Sequence, residues 1–521
     1  VVGEVFARGV LPPCSIVAPL SGSDPWRAAS TVSGSLWGRY AMICSSLDGE
    51  TCAWLRDPSG SQRLYAWNLG AHFVLTDEIT LPLMECLDLR PRIDWHRLSQ
   101  LIAQTEMASA FSALQDVEIV TPGRLEVCAH HQVTRHVVWT PASFAQSPTP
   151  ADPGEFRQTA SQCIDHWLSD HRRVTVELSG GLDSSLVAGL LANAANRPSI
   201  QGLNIIPQSP GGDESIYARS VSEKWGFGLI ETAVCPSELD YLGLLDGTLT
   251  VEPPVYGLDV LADGLSCDLA DAFGATRIFS GQGGDAVFFQ PHTPIVASDY
   301  LAAHGPTPTF GRLIRSCAKA SNRSVWTVVR KAAWPDPTLD RRPLPLGLGG
   351  PLAQMAWEDE GLTHPWAEEA ADLPAGKRMQ VAMLANCQLF HRATRTSRHG
   401  RLVHPLLSQP LVELCLRTAL WELVPDRRER GFMRDCFEQA LPGPVRNRRG
   451  KGEASGFYNR AIATHLATLR PFLLDGVLAS KGLISPEALA GLLDVEHLIW
   501  KDDHPIIGSL VALEIWARQW S

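Results

Sequence analysis

The sequence predicts an α/β chain in two parts: a β-rich, antiparallel N-terminal part, and a larger C-terminal part with a parallel sheet and a helical end. Three observations carry this. Short β-branched and aromatic runs separated by turn residues fill the stretch from Leu36 to Glu78. The run VTVEL (174–178) passes through two glycines directly into an apolar helical pattern. Beyond about residue 377 the periodicity is mainly helical. The chain has 521 residues, enough for two to four domains at roughly 100–200 residues each.

In the N-terminal part, LWGRYAMICSS, TCAWLRD, RLYAWNL and HFVLTDE read as strands. Leu47–Glu50 and Asp57–Gly60 read as the turns between them. A helix is expected over Trp95–Glu106, then a β-like end with a turn at Pro122-Gly123. The Pro- and Ser-rich stretch WTPASFAQSPTPADPGE reads as a linker, placing a boundary near residue 150, with domains 1–148 and 149–521. Beyond it, Phe156, Ala160, Cys163, Ile164 and Trp167 mark one face of a helix. VTVEL and IQGLNII read as strands, DESIYARSVSEKWG as a helix, and RIFSGQGGD as a strand running into glycines. The segment 291–380 reads as a variable insertion, with PDPTLDRRPLPLGLGGP irregular.

With 45 basic and 56 acidic side chains the net charge is -11, which argues against nucleic acid as a partner, because phosphate backbones select basic surfaces. Arg446–Lys451 is the local exception. Twelve cysteines are scattered singly with no CxxC pair, as expected of reduced thiols in a cytoplasmic protein. No apolar run reaches the roughly 18–20 residues of a membrane span, and no signal peptide is recognisable.

Chemistry concentrates in two glycine turns. In Ser179-Gly180-Gly181-Leu182-Asp183-Ser184-Ser185 the glycines let backbone N–H groups close on a phosphate, and the following helix adds the positive end of its dipole. Asp183 would repel that phosphate unless a cation intervened, which implies Mg2+. The loop is neither a Walker A sequence nor GxGxxG. About a hundred residues on, Ser280-Gly281-Gln282-Gly283-Gly284-Asp285 offers a second carboxylate.

SGGxDS after a strand resembles the PP-loop of ATP pyrophosphatases, which adenylate their substrates. The second turn resembles the SGxGxD element of the asparagine synthetase family, and Asp213-Glu214 before Tyr217 and Ala218 is similar to that family too. The resemblance implies ATP and Mg2+ held by Ser179, Gly180, Gly181, Asp183, Ser184, Ser280, Gly281 and Lys451, with Asp183 and Asp285 as metal ligands and Lys451, Asp183 and Asp285 as catalytic residues. Lys451 matches the family's lysine at the reacting carbonyl and α-phosphate. Arg430 stands where relatives carry a lysine and could supply its charge, whereas Arg448 and Arg449 read equally as phosphate contacts or as solvated surface.

Residues 1–148 resemble the class II glutamine amidotransferase (Ntn-type) sandwich domain of that family. Such a glutaminase needs an N-terminal cysteine; the sequence begins Val1-Val2, so an inactive domain and an amine carried by the substrate are expected. Asparagine synthetase on free ammonia, β-lactam synthetase and lasso peptide cyclase then remain. Gln282 stands where the first two carry Glu and Tyr; it is neutral and cannot act as a base, which suits a peptide α-amine of pKa near 8. RATRTSRHGR, the stretch His404–Glu413 and RNRRGKG closely resemble lasso peptide cyclases. That resemblance implies a precursor peptide as substrate, with a leader peptidase and a leader-recognition protein as partners. Read physically, Pro405-Leu406-Leu407 and the helical run after it are core-packed. A small-molecule amide ligase and a non-catalytic scaffold are the alternatives.

Overall fold

A computed structural model describes residues 1–8, 24–46, 50–70, 72–130, 132–209, 212–239, 241, 243, 249–254, 260–290, 294–335, 362–425, 429–448, 450, 452 and 455–521. The expected turn at 47–49, most of PDPTLDRRPLPLGLGGP, Cys14, Arg449 and Lys451 lie outside them.

The N-terminal part contains two antiparallel sheets. One runs β1 (Val2–Ala7), β2 (Leu36–Ser45), β3 (Thr51–Arg56), β7 (Arg124–Ala129), β8 (Gln132–Val137) in spatial order; the other is β5 (Phe73–Thr76), β4 (Tyr65–Asn68), β6 (Val117–Ile119). Alternation sorts the larger sheet's side chains. Tyr40, Met42, Ala53 and Leu55 pack under the helix Pro25–Ser35, whereas Ala41 and Trp54 face Leu64, Ala66 and Val120 of the smaller sheet's side. The expected helix forms over Trp95–Ala103 and tightens into a 3-10 turn at Thr105–Ser109.

The C-terminal part is built on a wholly parallel sheet in the order β11 (Gly228–Val234), β10 (Ser199–Pro207), β9 (Arg173–Glu177), β12 (Arg277–Phe279), β13 (Leu402–Val403). Val174, Thr175 and Val176 of the central strand β9 are buried, as a strand covered on both faces requires. The helix Pro153–Leu168 buries the predicted Phe156, Ala160, Cys163, Ile164 and Trp167. Leu406 and Leu407 are buried too, as expected for a core-packed turn. After residue 402 the described chain is almost entirely helical, ending in His504–Trp520.

Three features were not read from the sequence. The supposed linker carries a helix, Pro141–Ala145, capped by Thr140, with Ala142 and Ala145 in the main core. The described parts of the segment 291–380 are mostly helical: Pro308–Ala320 and Val325–Ala333 start at the caps Thr307 and Ser324 and bury Leu313, Ile314, Cys317, Val328 and Ala332. β11 was not foreseen because it is an edge strand in which only Val234 is buried and apolar and polar residues do not alternate. The eleven described cysteines are free thiols. Among the described residues no helix is long and apolar enough to cross a membrane.

The two parts meet through buried polar contacts. Arg8, the Trp139 indole and Gln409 converge on Glu413 at 2.7–2.8 Å. Arg39 donates to the Leu402 carbonyl at the end of the parallel sheet, and Arg277 pairs with Glu4.

Candidate functional site

Strand order reverses at β9: β10 and β11 lie on one side, β12 and β13 on the other. In open parallel sheets ligands bind at the carboxyl ends of the strands flanking such a switch. The register pairs Val176 with Phe279, so the loops after β9 and β12 leave the sheet side by side. A Cβ on Gly281 would overlap the backbone of Asp183 and Ser184, so glycine is required for the two loops to touch.

The first loop folds onto itself. Ser179 Oγ lies 3.1 Å from Ser184 Oγ and accepts from Gly181 N–H at 3.2 Å. The helix Leu182–Ala192 starts at Gly181 with no side-chain cap, leaving its first N–H groups to meet an anion.

The loop carboxylates converge on a single point. Arg430 Nη1 lies 2.5 Å from Asp183 Oδ2 and 2.6 Å from Asp285 Oδ1, while its Nη2 reaches Glu429 at 3.1 Å. Burial opposes the guanidinium charge, but Asp183 and Asp285 outweigh it and hold Arg430 above its ordinary range. Two carboxylate oxygens within 2.6 Å of one positive nitrogen mark a place suited to a cation.

A directional relay orients the second loop. His404 Nε2 donates to the Phe390 carbonyl at 3.1 Å, so in the neutral ring Nδ1 is an acceptor. Ser280 Oγ–H therefore donates to Nδ1 across 2.7 Å and accepts from Gln282 N–H at 3.2 Å. Burial pulls the His404 pKa down to about 4, the Phe390 carbonyl opposes this and Arg39 reinforces it, so the ring is neutral near pH 7.

These loops line a cleft of about 480 Å³ together with Glu177, Leu203, Ile205, Glu429, Arg434, Val445, Arg448, Gly450 and Tyr458. Residues 155–518 match the family model described as Asparagine synthase, a span of more than half the chain. The chain belongs to the asparagine synthase family. That family consists of ATP-dependent ligases that form amide bonds. Among solved structures, the chain is similar to the U34-tRNA thiolase NcsA from Methanococcus maripaludis, with 16% identity over 39% of this chain and 70% of that one and a TM-score of 0.20. It is also similar to the glutamine-dependent NAD+ synthetase from Acinetobacter baumannii in complex with ADP, with 13% identity over 50% of this chain, 63% of that one and a TM-score of 0.20. Neither similarity bears on substrate. No curated protein matches the chain.

For this asparagine synthase family member, Ser179, Gly181, Asp183, Ser184, Ser280, Gly281, Gln282 and Asp285 all line one cleft, and the Gly180 carbonyl lies beside Arg448. Lys451 falls outside the described residues, between Gly450, which lines the cleft, and Gly452. Within the basic run, Arg448 is taken up by Glu214, and Arg446 pairs with Glu438 at the surface at 2.8 Å. Glu177, Glu429 and Tyr458 were not singled out from sequence. They sit on separate elements with no motif of their own, and only the fold brings them together.

Proposed function

We propose that this chain is an ATP-dependent macrolactam synthetase of the lasso peptide type. It adenylates an Asp or Glu side chain of a precursor peptide and closes the ring with the peptide's N-terminal amine. The convergence of Asp183 and Asp285 on one cation position at the switch point, beside an uncapped helix start, supports this reading most.

The donor set fits Mg2+, a hard cation that takes one or two carboxylates and completes its shell with substrate phosphates and water. Bound there, Mg2+ would offset phosphate charge.

The chain's own residues divide the remaining work. Backbone N–H groups of 180–184 and the Ser179 and Ser184 hydroxyls bind and orient the phosphates; Arg430, displaced from the carboxylates, is free to meet the leaving pyrophosphate. The peptide carboxylate attacks the α-phosphorus, the α–β phosphoanhydride bond breaks, and pyrophosphate leaves. The amine then attacks the acyl carbon, the bond to AMP breaks, and the amine gives up a proton. Gln282, exposed at the cleft mouth, can position the amine by hydrogen bonding but cannot act as a base. An α-amine of pKa near 8 does not require one. Lys451 would stabilise the charge developing in both steps.

A cleft of about 480 Å³ suits a nucleotide, so the peptide ring would lie at its mouth. Residues 1–148 would be a retained amidotransferase-like half and 149–521 the adenylating half, acting in the cytoplasm with a leader peptidase and a leader-recognition protein. The test is mass spectrometry of a leader-free core peptide incubated with this protein, the partner peptidase and Mg-ATP, with Asp285→Asn and Lys451→Ala alongside. Loss of one water with stoichiometric AMP, both abolished in the variants, is expected. AMP without dehydrated peptide would instead indicate a small-molecule amide ligase, and no AMP at all would leave a scaffold.

A further inference from the structure

The start of the helix Ser215–Trp225 is built so that one carboxylate is free to act elsewhere. Asp213 Oδ1 accepts from Ser215 N–H at 2.8 Å and thus holds the turn, while Glu214 makes no cap. The Glu214 carboxylate instead accepts from Arg448 Nη2 and from the Gly452 N–H with the same oxygen. Both ends of the ion pair are mostly buried, with 13% and 11% of the Glu214 and Arg448 side chains exposed. The Arg448 guanidinium lies 4.2 Å from the centre of the Tyr217 ring and reaches the Gly180 carbonyl at 3.4 Å. Gly180 itself packs on Glu214, Tyr217 and Ala218, so the phosphate loop, the 213–218 turn, Arg448 and Gly452 form one junction.

We infer that Glu214 is a positioning residue that clasps Arg448 and Gly452 against the phosphate loop. A carboxylate this close to a triphosphate site is unfavourable unless it is neutralised and has a task. Arg448 neutralises it, and the planar guanidinium suits simultaneous pairing and ring stacking in a way a lysine cannot. The Gly452 N–H adds the second anchor, on the far side of Lys451 in the sequence. The clasp therefore brackets the residue to which the proposed function assigns transition-state charge stabilisation, and this part of the inference rests on that reading. Gly452 is needed for the approach, because a Cβ there would overlap the Glu214 carboxyl group.

The experiment compares wild type with Glu214→Ala, Glu214→Gln and Gly452→Ala in the full chain. Brief trypsin digestion, with cleavage after Arg446, Arg448, Arg449 and Lys451 mapped by mass spectrometry, reads the clasp without reference to activity. Cleavage there should rise about tenfold or more in Glu214→Ala, the loss of a charged hydrogen-bond pair, while other sites keep wild-type rates. The kcat for AMP formation should fall roughly a hundredfold, with KM for ATP changed by less than about threefold, as expected for misplacement of a group used in the chemical step. Glu214→Gln, which still offers an oxygen to Gly452, should fall between, and it carries the test if the alanine variant does not fold. Gly452→Ala should impair wild type but add nothing in the Glu214→Ala background. Wild-type cleavage rates or an unchanged kcat in Glu214→Ala would overturn the clasp. Should wild type release no AMP with any peptide, the proposed function fails, while the cleavage rates still decide whether Glu214 holds the segment.

Discussion

Two arginine–aspartate clusters, one in each part of the molecule, show what separates an ion cluster closed within its own turn from one that borders a cleft. In the N-terminal part Arg56 donates to the carbonyls of Gly60 and Gln62 at 2.6 Å and of Val120 at 3.3 Å. Its neighbour Asp57, fully buried, accepts from the Ser59 hydroxyl and from the Ser61 and Gln62 N–H groups. Both charges are satisfied by their own turn and by the adjacent chain, and burial pushes the Arg56 pKa down and the Asp57 pKa up. In the C-terminal part Arg430 is held by carboxylates at the edge of a cleft. Under the proposed function a cation would replace that guanidinium, whereas Arg56 is buried and held by three carbonyls. Satisfaction by fixed dipoles, rather than burial, is what makes the first cluster architectural.

The largest test of this contrast is Arg56→Ala, which strands three carbonyls and removes the charge compensating Asp57. It should destabilise the chain by about 3–5 kcal/mol, read by denaturant unfolding. A loss below about 1 kcal/mol would place Arg56 with ordinary surface arginines.

Next in size is a pH effect at the loop relay. The His404 pKa is about 4 in the folded chain against 6.5 when unfolded. Between those values the unfolded state binds more protons, so stability is lost as pH falls from about 6.5 to about 4 and changes no further below that. Asp299, raised to about 6 by burial, works in the opposite direction. The difference between wild type and His404→Gln isolates the histidine: the advantage of wild type at pH 7 should shrink by up to about 3 kcal/mol on reaching pH 4. A flat difference curve would show that His404 is not buried neutral against Ser280.

The smallest effect concerns the cleft cation. Arg430→Ala removes the competitor from Asp183 and Asp285, so nucleotide-free protein should bind Mn2+ about tenfold more tightly by electron paramagnetic resonance titration. Unaltered Mn2+ affinity would mean that Arg430 and the metal do not share a position.

Much of the site was legible because its residues are contiguous. Ser179–Ser185 and Ser280–Asp285 announce themselves by glycine, hydroxyl and carboxylate spacing after apolar strands. The helices of 294–335 were missed because the Pro- and Gly-rich run beyond them dominated the reading, although Thr307 and Ser324 were valid start signals. Arg448 stayed ambiguous because a basic run looks alike whether it meets water or a buried glutamate 234 residues away. A separation of 247 residues likewise hid Arg430 as the partner of Asp183.

By itself the sequence determined the strand and helix segments around the site, the two phosphate-suited turns and the family to which they belong. These depend on local periodicity and on backbone freedom at glycine, which neighbouring residues set. The tertiary structure decided which charges pair. It alone placed Asp183 and Asp285 on one point, turned Arg430 toward them, and set Glu214 beneath Arg448 and Gly452. Electrostatic partners are chosen by proximity and desolvation in space, and chain order carries little of that information.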